Sequence, residues 1–429
     1  MSTESSAIQA AGATAAASPA RVFWAAWLGW MLDGFDSAIY VFVLVPALSD
    51  LLRGQGTVPD KGHIALYGGY FFTVFMLGWT CSMFWGWLAD RVGRVRVMCW
   101  TILLYSFGTA LCGLAPNLLL FGLFRFLAGF GVGGEWAAGT PLLHESLPER
   151  IRVRVTGLLH TATPIGGLLA AGASFMIPVL GWRGMFFIGV FPALLTLWLR
   201  LRVPEPARTR AAVRRSPARS AGMFTGGNRR NTWSAALMMA CIIFGLWSTT
   251  LWVPTLIVSR MTEAGAAAST AQRWASGSGL LMNAGTLIAC ASMPWIAVWT
   301  GSRRRAATIF FMGAFVTNVF AYAVLVLVLN RIGLFIAMLP VLGFFTNGVF
   351  ALYTIWLAEL FPTAHRAFGA GFAFSLGRLL AAVGPSIVGT AVMLTGSYPA
   401  AIAAVSIIYV IGLPFIRIAS ETAGKPLPA

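Results

Sequence analysis

The sequence predicts an all-α membrane protein of twelve transmembrane helices in two pseudo-symmetric six-helix bundles, and three observations carry that prediction. The chain is 58% hydrophobic and 10% charged over 429 residues, with a mean hydropathy of +0.79. A soluble domain of this length has no core large enough to hide so much apolar surface. The apolar residues fall in long runs, and no strand-length segment alternates with period two, which excludes a membrane barrel. A polar motif also occurs once in each half of the chain. Glu145, Pro148, Arg152 and Gly157 return as Glu359, Pro362, Arg366 and Gly371, every position offset by 214 residues.

Crossing about 30 Å of hydrocarbon takes roughly 20 helical residues, and the runs can be taken in order against that length. Residues 1–21 are rich in Ala and Ser, and the first twenty carry no basic residue, so they read as a disordered tail rather than a secretory signal. Runs at 22–49, 64–88, 96–115, 118–145, 154–180 and 183–201 make the first bundle, 22–201. From Arg202 to Asn231 come Pro204, Pro206, Pro217 and seven further arginines, so 202–231 is expected to be a cytoplasmic linker. Runs at 232–259, 276–299, 306–329, 333–360, 368–394 and 399–418 make the second bundle, 232–419, and 420–429 forms a cytoplasmic tail.

Charge sets orientation. The net charge of +17 would suggest nucleic acid in a soluble protein, but here the arginines cluster in short turns between apolar runs. Arg91, Arg94 and Arg96, then Arg150, Arg152 and Arg154, then Arg303, Arg304 and Arg305 alternate with uncharged turns such as Ala115-Pro116-Asn117. Both termini are therefore expected in the cytoplasm, with the chain in the inner cell membrane and no nucleic acid as partner. Cys81, Cys99, Cys112, Cys241 and Cys290 all lie inside apolar runs without paired spacing, which indicates neither a disulfide framework nor a metal site. No phosphate loop, nucleophile elbow or metal-ligand motif occurs, so the chain is expected not to be an enzyme, to have no cofactor and not to be driven directly by ATP; it is also expected to be a monomer.

Gly86-Trp87-Leu88-Ala89-Asp90-Arg91-Val92-Gly93-Arg94-Val95-Arg96, between two long apolar runs, resembles the signature turn between helices two and three of the major facilitator superfamily. A partner turn runs from Trp295 to Arg305, but Val298 stands where Asp90 stands in the first copy. Trp30-Met31-Leu32-Asp33-Gly34-Phe35-Asp36 with Pro46, and Arg125-Phe126-Leu127-Ala128-Gly129-Phe130-Gly131-Val132-Gly133-Gly134-Glu135-Trp136, are similar to the group of aromatic acid, sialate and metabolite:proton symporters. The resemblance covers essentially the whole chain beyond its tails. It implies the major facilitator fold, with parallel halves and a substrate site near the midplane between them.

Charges inside the runs are the candidate machinery, because ionisable groups in hydrocarbon are costly and functional by default. Asp33 and Asp36 lie three residues apart on one helical face, roughly 16–21 Å along the first run. Two carboxylates so close cannot both ionise cheaply, so the pair is expected to carry a proton, with Asp36 nearer the midplane. The plainer reading is that one acid holds an arginine. Arg125 and Glu135 share the fourth run but lie about 15 Å apart, too far to pair. Arg125 and Arg378 are the deepest cations and the candidate contacts for a carboxylate, with Arg378 alternatively a structural counter-ion. Glu135 is the second choice for the proton. The fold that the resemblance implies places the first, fourth, seventh and tenth helices around the cavity, which nominates Trp247, Trp252, Asn347, Tyr353 and Trp356 as wall residues. Asp90, Arg91, Arg94, Glu145, Arg152, Glu359 and Arg366 sit at helix ends and are assigned to gating. His160 and His144 read as packed residues before they read as functional ones.

These features together predict a secondary transporter taking up a small organic anion, such as an aromatic or other carboxylic acid, with protons across a lipid membrane. Sodium in place of protons is the alternative for coupling. Competing readings are an efflux antiporter, for which Thr163-Pro164-Ile165-Gly166-Gly167 is an imperfect motif, and a non-transporting membrane sensor.

Overall fold

The computed structural model describes residues 19–146, 158–190, 226–362 and 366–425, together with the single positions 194, 197 and 224. Among these residues the chain is helical, and the helices group into twelve rods, α1 to α12. The first bundle contains α1 (Pro19–Gly54), α2 (Lys61–Thr80 and Ser82–Val92), α3 (Arg94–Leu114), α4 (Leu118–Ser146), α5 (Ala162–Ser174) and α6 (Ile177–Ile188). The second contains α7 (Gly226–Thr250 and Val253–Glu263), α8 (Ala268–Trp299), α9 (Arg303–Val319, continued as π-helix over Phe320–Val328) and α10 (Ile332–Glu359). It closes with α11 (Arg366–Ala381 and Gly384–Thr395) and α12 (Tyr398–Val405 and Ile408–Ile418). Nine helical stretches among the described residues are long and apolar enough to cross a membrane, and Leu118–Gly134 of α4 and Ile177–Ile188 of α6 are shorter apolar helices.

Local chemistry sets the ends. Asp60 caps α2 by accepting the His63 amide at 2.8 Å, and that same hydrogen bond, foremost among its neighbours, holds the Asp60 carboxyl below the usual carboxylate range. Gly93, at φ 113°, makes the tight corner between α2 and α3 that a side chain would strain. Pro254 follows the break in α7, where the missing amide and fixed φ suit a helix start.

Several boundaries differ from expectation. α7 begins at Gly226, inside the stretch read as linker, and α8 begins at Ala268 rather than 276. In both cases the helix continues past its apolar part on residues that hydropathy does not register, such as Gln272 and Arg273. The remainder of the linker, apart from position 224, lies outside the described residues, as do the tail at 1–18 and residues 426–429.

The two bundles meet along two seams. α2 lies on α11 so closely that a Cβ on Gly69 would fall 2.5 Å from the Pro385 carbonyl oxygen. Thr73 of α2 hydrogen-bonds the Ala382 carbonyl and the Ser386 hydroxyl of α11, both at 2.7 Å. α5 meets α8 through a Ser174–Ser276 hydrogen bond of 2.7 Å. Small residues bring the backbones together where lipid supplies no hydrophobic drive for association. The face where α1 begins and α12 ends is called the termini face below, and the other the opposite face.

Candidate functional site

α1 presents Asp36 and, one turn on, Tyr40 to the interior of the first bundle, where both are buried. Thr109 of α3 donates its hydroxyl to Asp36 Oδ1 at 2.6 Å. The second oxygen, Oδ2, has no hydrogen-bond partner among the described residues. α4 brings Arg125, with 0% of its surface exposed, into electrostatic reach of that carboxylate. Its guanidinium lies over the rings of Tyr40 and Phe75, 4.3 Å from each centroid, and none of its three nitrogens has a hydrogen-bond partner among the described residues. Tyr40 is itself pinned, its hydroxyl donating to the Gly68 carbonyl at 2.9 Å. Cation–π contact offsets part of the cost of burying a guanidinium. It leaves the in-plane N–H fork unused, and that fork matches a carboxylate.

The second deep cation comes from the other bundle. Arg378 of α11 is buried between Trp79 of α2 and Phe374, with centroid distances of 3.9 and 4.1 Å, and the charge facing it is Asp33. Asp33 and Asp36 therefore have different arginines, Asp33 across the boundary between bundles and Asp36 within its own. The sequence placed the two acids in one site pressing on each other. In the structure each has a counter-ion, which divides that pressure.

Aromatic rings join these groups. Phe75 and Trp79, one turn apart on α2, lie 5.8 Å from each other and serve one arginine each. From Arg378 the series continues through Phe374 to Phe350 of α10 at 5.7 Å, to His160 just before α5 at 5.8 Å, and to Trp30 of α1 at 5.1 Å. Trp30 is one turn from Asp33, so the series returns to the helix on which it began.

The expected wall residues divide. Trp247 of α7 lies 4.7 Å from Phe72 of α2 and so sits where the bundles face each other. Asn347 donates to Thr286 of α8 at 2.8 Å, and its Oδ1 is left without a partner among the described residues. The other three are engaged inside the second bundle. Trp252 is buried against Tyr398, Tyr353 donates to the Ala235 carbonyl at 2.9 Å, and Trp356 donates to the Ser420 carbonyl at 3.0 Å. Each is anchored by a neighbouring helix or by the segment after α12.

At the termini face, Glu359 accepts from Nη2 and Nε of Arg303, at 2.9 and 3.0 Å, and from the Thr422 hydroxyl at 2.6 Å. Glu421 lies at the start of α9, accepting the Ser302 hydroxyl and the amides of Arg303 at 2.9 Å and Arg304 at 3.2 Å. Partial burial pushes its carboxyl up, but those donors and the Ala423 amide outweigh burial and bring it to about 2. Glu421 thus supplies an acid to the turn in which Val298 replaces the expected one. The sequence reading missed it because it lies 119 residues from Ser302. Arg91 is exposed and lies 4.1 Å over Trp87. The side chains of Asp90, Arg94, Glu135, Glu145 and Arg366, and the whole of Arg152, lie outside the described residues.

At the opposite face Lys61 reaches Glu263 across the bundles at 3.1 Å and lies 5.7 Å over the Tyr398 ring. Burial would raise the Glu263 carboxyl, but the Ser259 hydroxyl and Lys61 outweigh it and hold the group below its usual range. Neither partner was singled out from sequence. Thr109, Phe75 and Trp79 were missed as well, and only Tyr40, four residues from Asp36, was within reach of helical spacing.

The family model described as Major Facilitator Superfamily matches residues 26–385. The chain is 28% identical over 399 residues to the niacin transporter NiaP of Acinetobacter baylyi, covering 86% of each chain. It is 29% identical over 319 residues to the cis,cis-muconate transport protein of the same organism, covering 72% of this chain and 74% of that one. Among solved structures, a D-xylose-proton symporter superposes with a TM-score of 0.70 at 20% identity, covering 95% of this chain and 99% of the other.

Proposed function

The chain belongs to the Major Facilitator Superfamily, and on that premise we propose that it is a proton-coupled symporter taking up a small organic carboxylate by alternating access. It is a multi-pass membrane transporter and not an enzyme. In the proposed arrangement it works as a monomer in the inner cell membrane with the termini face toward the cytoplasm, as the arginine-rich turns favour.

One observation carries the reading: Arg125 is buried beside Asp36 with its donor fork empty among the described residues. An incoming carboxylate takes that fork and draws the guanidinium away from Asp36. Asp36, left in a low-dielectric site without its counter-ion, then takes a proton on Oδ2, the oxygen that Thr109 leaves open. Anion and proton bind together because each makes the other affordable. Arg378 and Asp33 form the second charge pair, which spans the bundles and re-forms as they move. Niacin and muconate both carry carboxylates, so the names of the two relatives fit a site of this chemistry.

The test reconstitutes wild type and Asp33→Asn/Asp36→Asn in proteoliposomes. Probes come from a thermal-shift screen of carboxylic acids that starts with nicotinate and cis,cis-muconate. Wild type should accumulate the probe uphill when protons flow inward. The double variant should lose that accumulation and keep part of its counterflow, which needs no net proton movement. Probe leaving as protons enter would make the protein an antiporter. Uphill accumulation retained by the double variant would move the proton to Glu135.

A further inference from the structure

We propose that His160 and Thr354 form a latch between the bundles, closing the path on the termini side of Asp33 and opening each time the bundles rock. The proposal rests on alternating access between the bundles and not on the identity of the solute or the coupling ion.

His160 Nε2 and Thr354 Oγ1 lie 2.6 Å apart, one from the turn before α5 and the other from α10, and so from different bundles. Thr354 has a single hydrogen, and its hydroxyl also lies 2.9 Å from the Ala351 carbonyl of its own helix. With that hydrogen on the carbonyl, His160 Nε2–H donates across the boundary.

Each partner is fixed to its own body. His160 packs its ring edge on Trp30, and the adjacent Thr161 accepts from Trp27 at 3.1 Å, so α1 holds it from two positions. A Cβ on Gly34 would fall 2.5 Å from the Thr163 carbonyl oxygen, so α1 and this end of α5 cannot slide independently. Thr354 is flanked by Tyr353, bonded to α7, and is two residues from Trp356, bonded to the segment after α12. A hydrogen bond joining two rigid bodies has no slack, so relative motion must break it. Breaking it costs no more than one net hydrogen bond, because Thr354 keeps the Ala351 carbonyl and His160 gains water from the opening path.

Position gives the latch its role. Trp30 lies one turn toward the termini face from Asp33, and His160 caps it there. Phe350, one turn before Thr354, closes the other side of the imidazole at 5.8 Å. The contact therefore sits between the charged centre and the termini face.

The experiment places spin labels at Trp87 and Trp299, both exposed near the termini face on α2 and α8, in the full chain with its five cysteines replaced by serine. Distance distributions between the labels report opening. Thr354→Val keeps the shape and removes the hydroxyl, so the long-distance population should rise about fivefold, the scale of one net hydrogen bond. Thr354→Ser should restore the original distribution. His160→Ala should match Thr354→Val, and the double variant should add nothing further. An unchanged distribution in Thr354→Val, additive effects in the double variant, or failure of Thr354→Ser to restore would each overturn the proposal. If His160→Ala does not fold, the valine and serine variants at 354 still decide it.

Discussion

Among single residues, Arg125 concentrates the chemistry, because a planar cation between two rings is oriented before any anion arrives. Arg125→Lys keeps the charge but loses the fork and the stacking area. We expect anion affinity to fall about 100-fold, or ~3 kcal/mol, as for other desolvated charge pairs that lose a partner. Calorimetry on detergent-purified protein reads this, and equal affinity in the two proteins would remove Arg125 from the binding site. The charges themselves were legible in sequence, since Asp33, Asp36, Arg125 and Arg378 stand inside long apolar runs. Their partnering was not. Residues three apart on a helix differ by about 60° around its axis, enough to aim Asp33 and Asp36 at different neighbours. Which neighbour stands on each side depends on helices roughly 70 to 350 residues away, as Thr109 and Arg378 illustrate.

At the scale of elements, α9 depends on an acid from outside itself. Glu421 accepts two amides at the helix start, a capping arrangement worth about 1 kcal/mol. The group is held at about 2, below its ordinary value near 4.5, so its contribution is present above pH 4.5 and lost as pH falls toward 2. Glu421→Gln should lower the melting temperature at neutral pH, and the gap from wild type should shrink steadily below pH 4.5 in thermal scans. A second contrast lies along α8. A Cβ on Gly285 would collide with the Pro340 carbonyl of α10, whereas one on Gly277 meets nothing within 4 Å. Gly285→Ala should destabilise by roughly 1–3 kcal/mol and Gly277→Ala should not, with equal melting temperatures as the refuting outcome. Sequence patterning located the helices because hydrocarbon demands long apolar runs. It misplaced the starts of α7 and α8 because a helix that leaves the membrane keeps its backbone hydrogen bonds while its side chains turn polar.

For the molecule as a whole, closure of the opposite face relies on a different kind of contact. Lys61 and Glu263 are 33% and 46% exposed, so their attraction is screened and worth at most ~1 kcal/mol. Lys61→Gln should raise the long-distance population between spin labels at Val58 and Ala264 less than about fivefold at low salt, and high salt should erase the difference. A salt-independent effect would assign closure there to the Tyr398 contact instead. The twofold plan of the molecule was readable from the repeated Glu145 and Glu359 motifs. The contacts at its rims were not, because Lys61 at the start of α2 and Glu421 just beyond α12 lie outside the repeated motif.

The seam between α2 and α11 has a mechanical consequence. At Gly69 the Pro385 carbonyl leaves no room for a side chain, so at that point backbone rides on backbone. So bare a contact has little to disengage at that point, and the two bundles can turn on it as a shaft turns in its bearing, with the Thr73 hydrogen bonds one turn along as a catch. Friction then belongs to the polar contacts that must form and break, those of Thr73 beside the pivot and those at the rims. A single methyl group at Gly69 would act as grit, slowing rotation without removing any charged group.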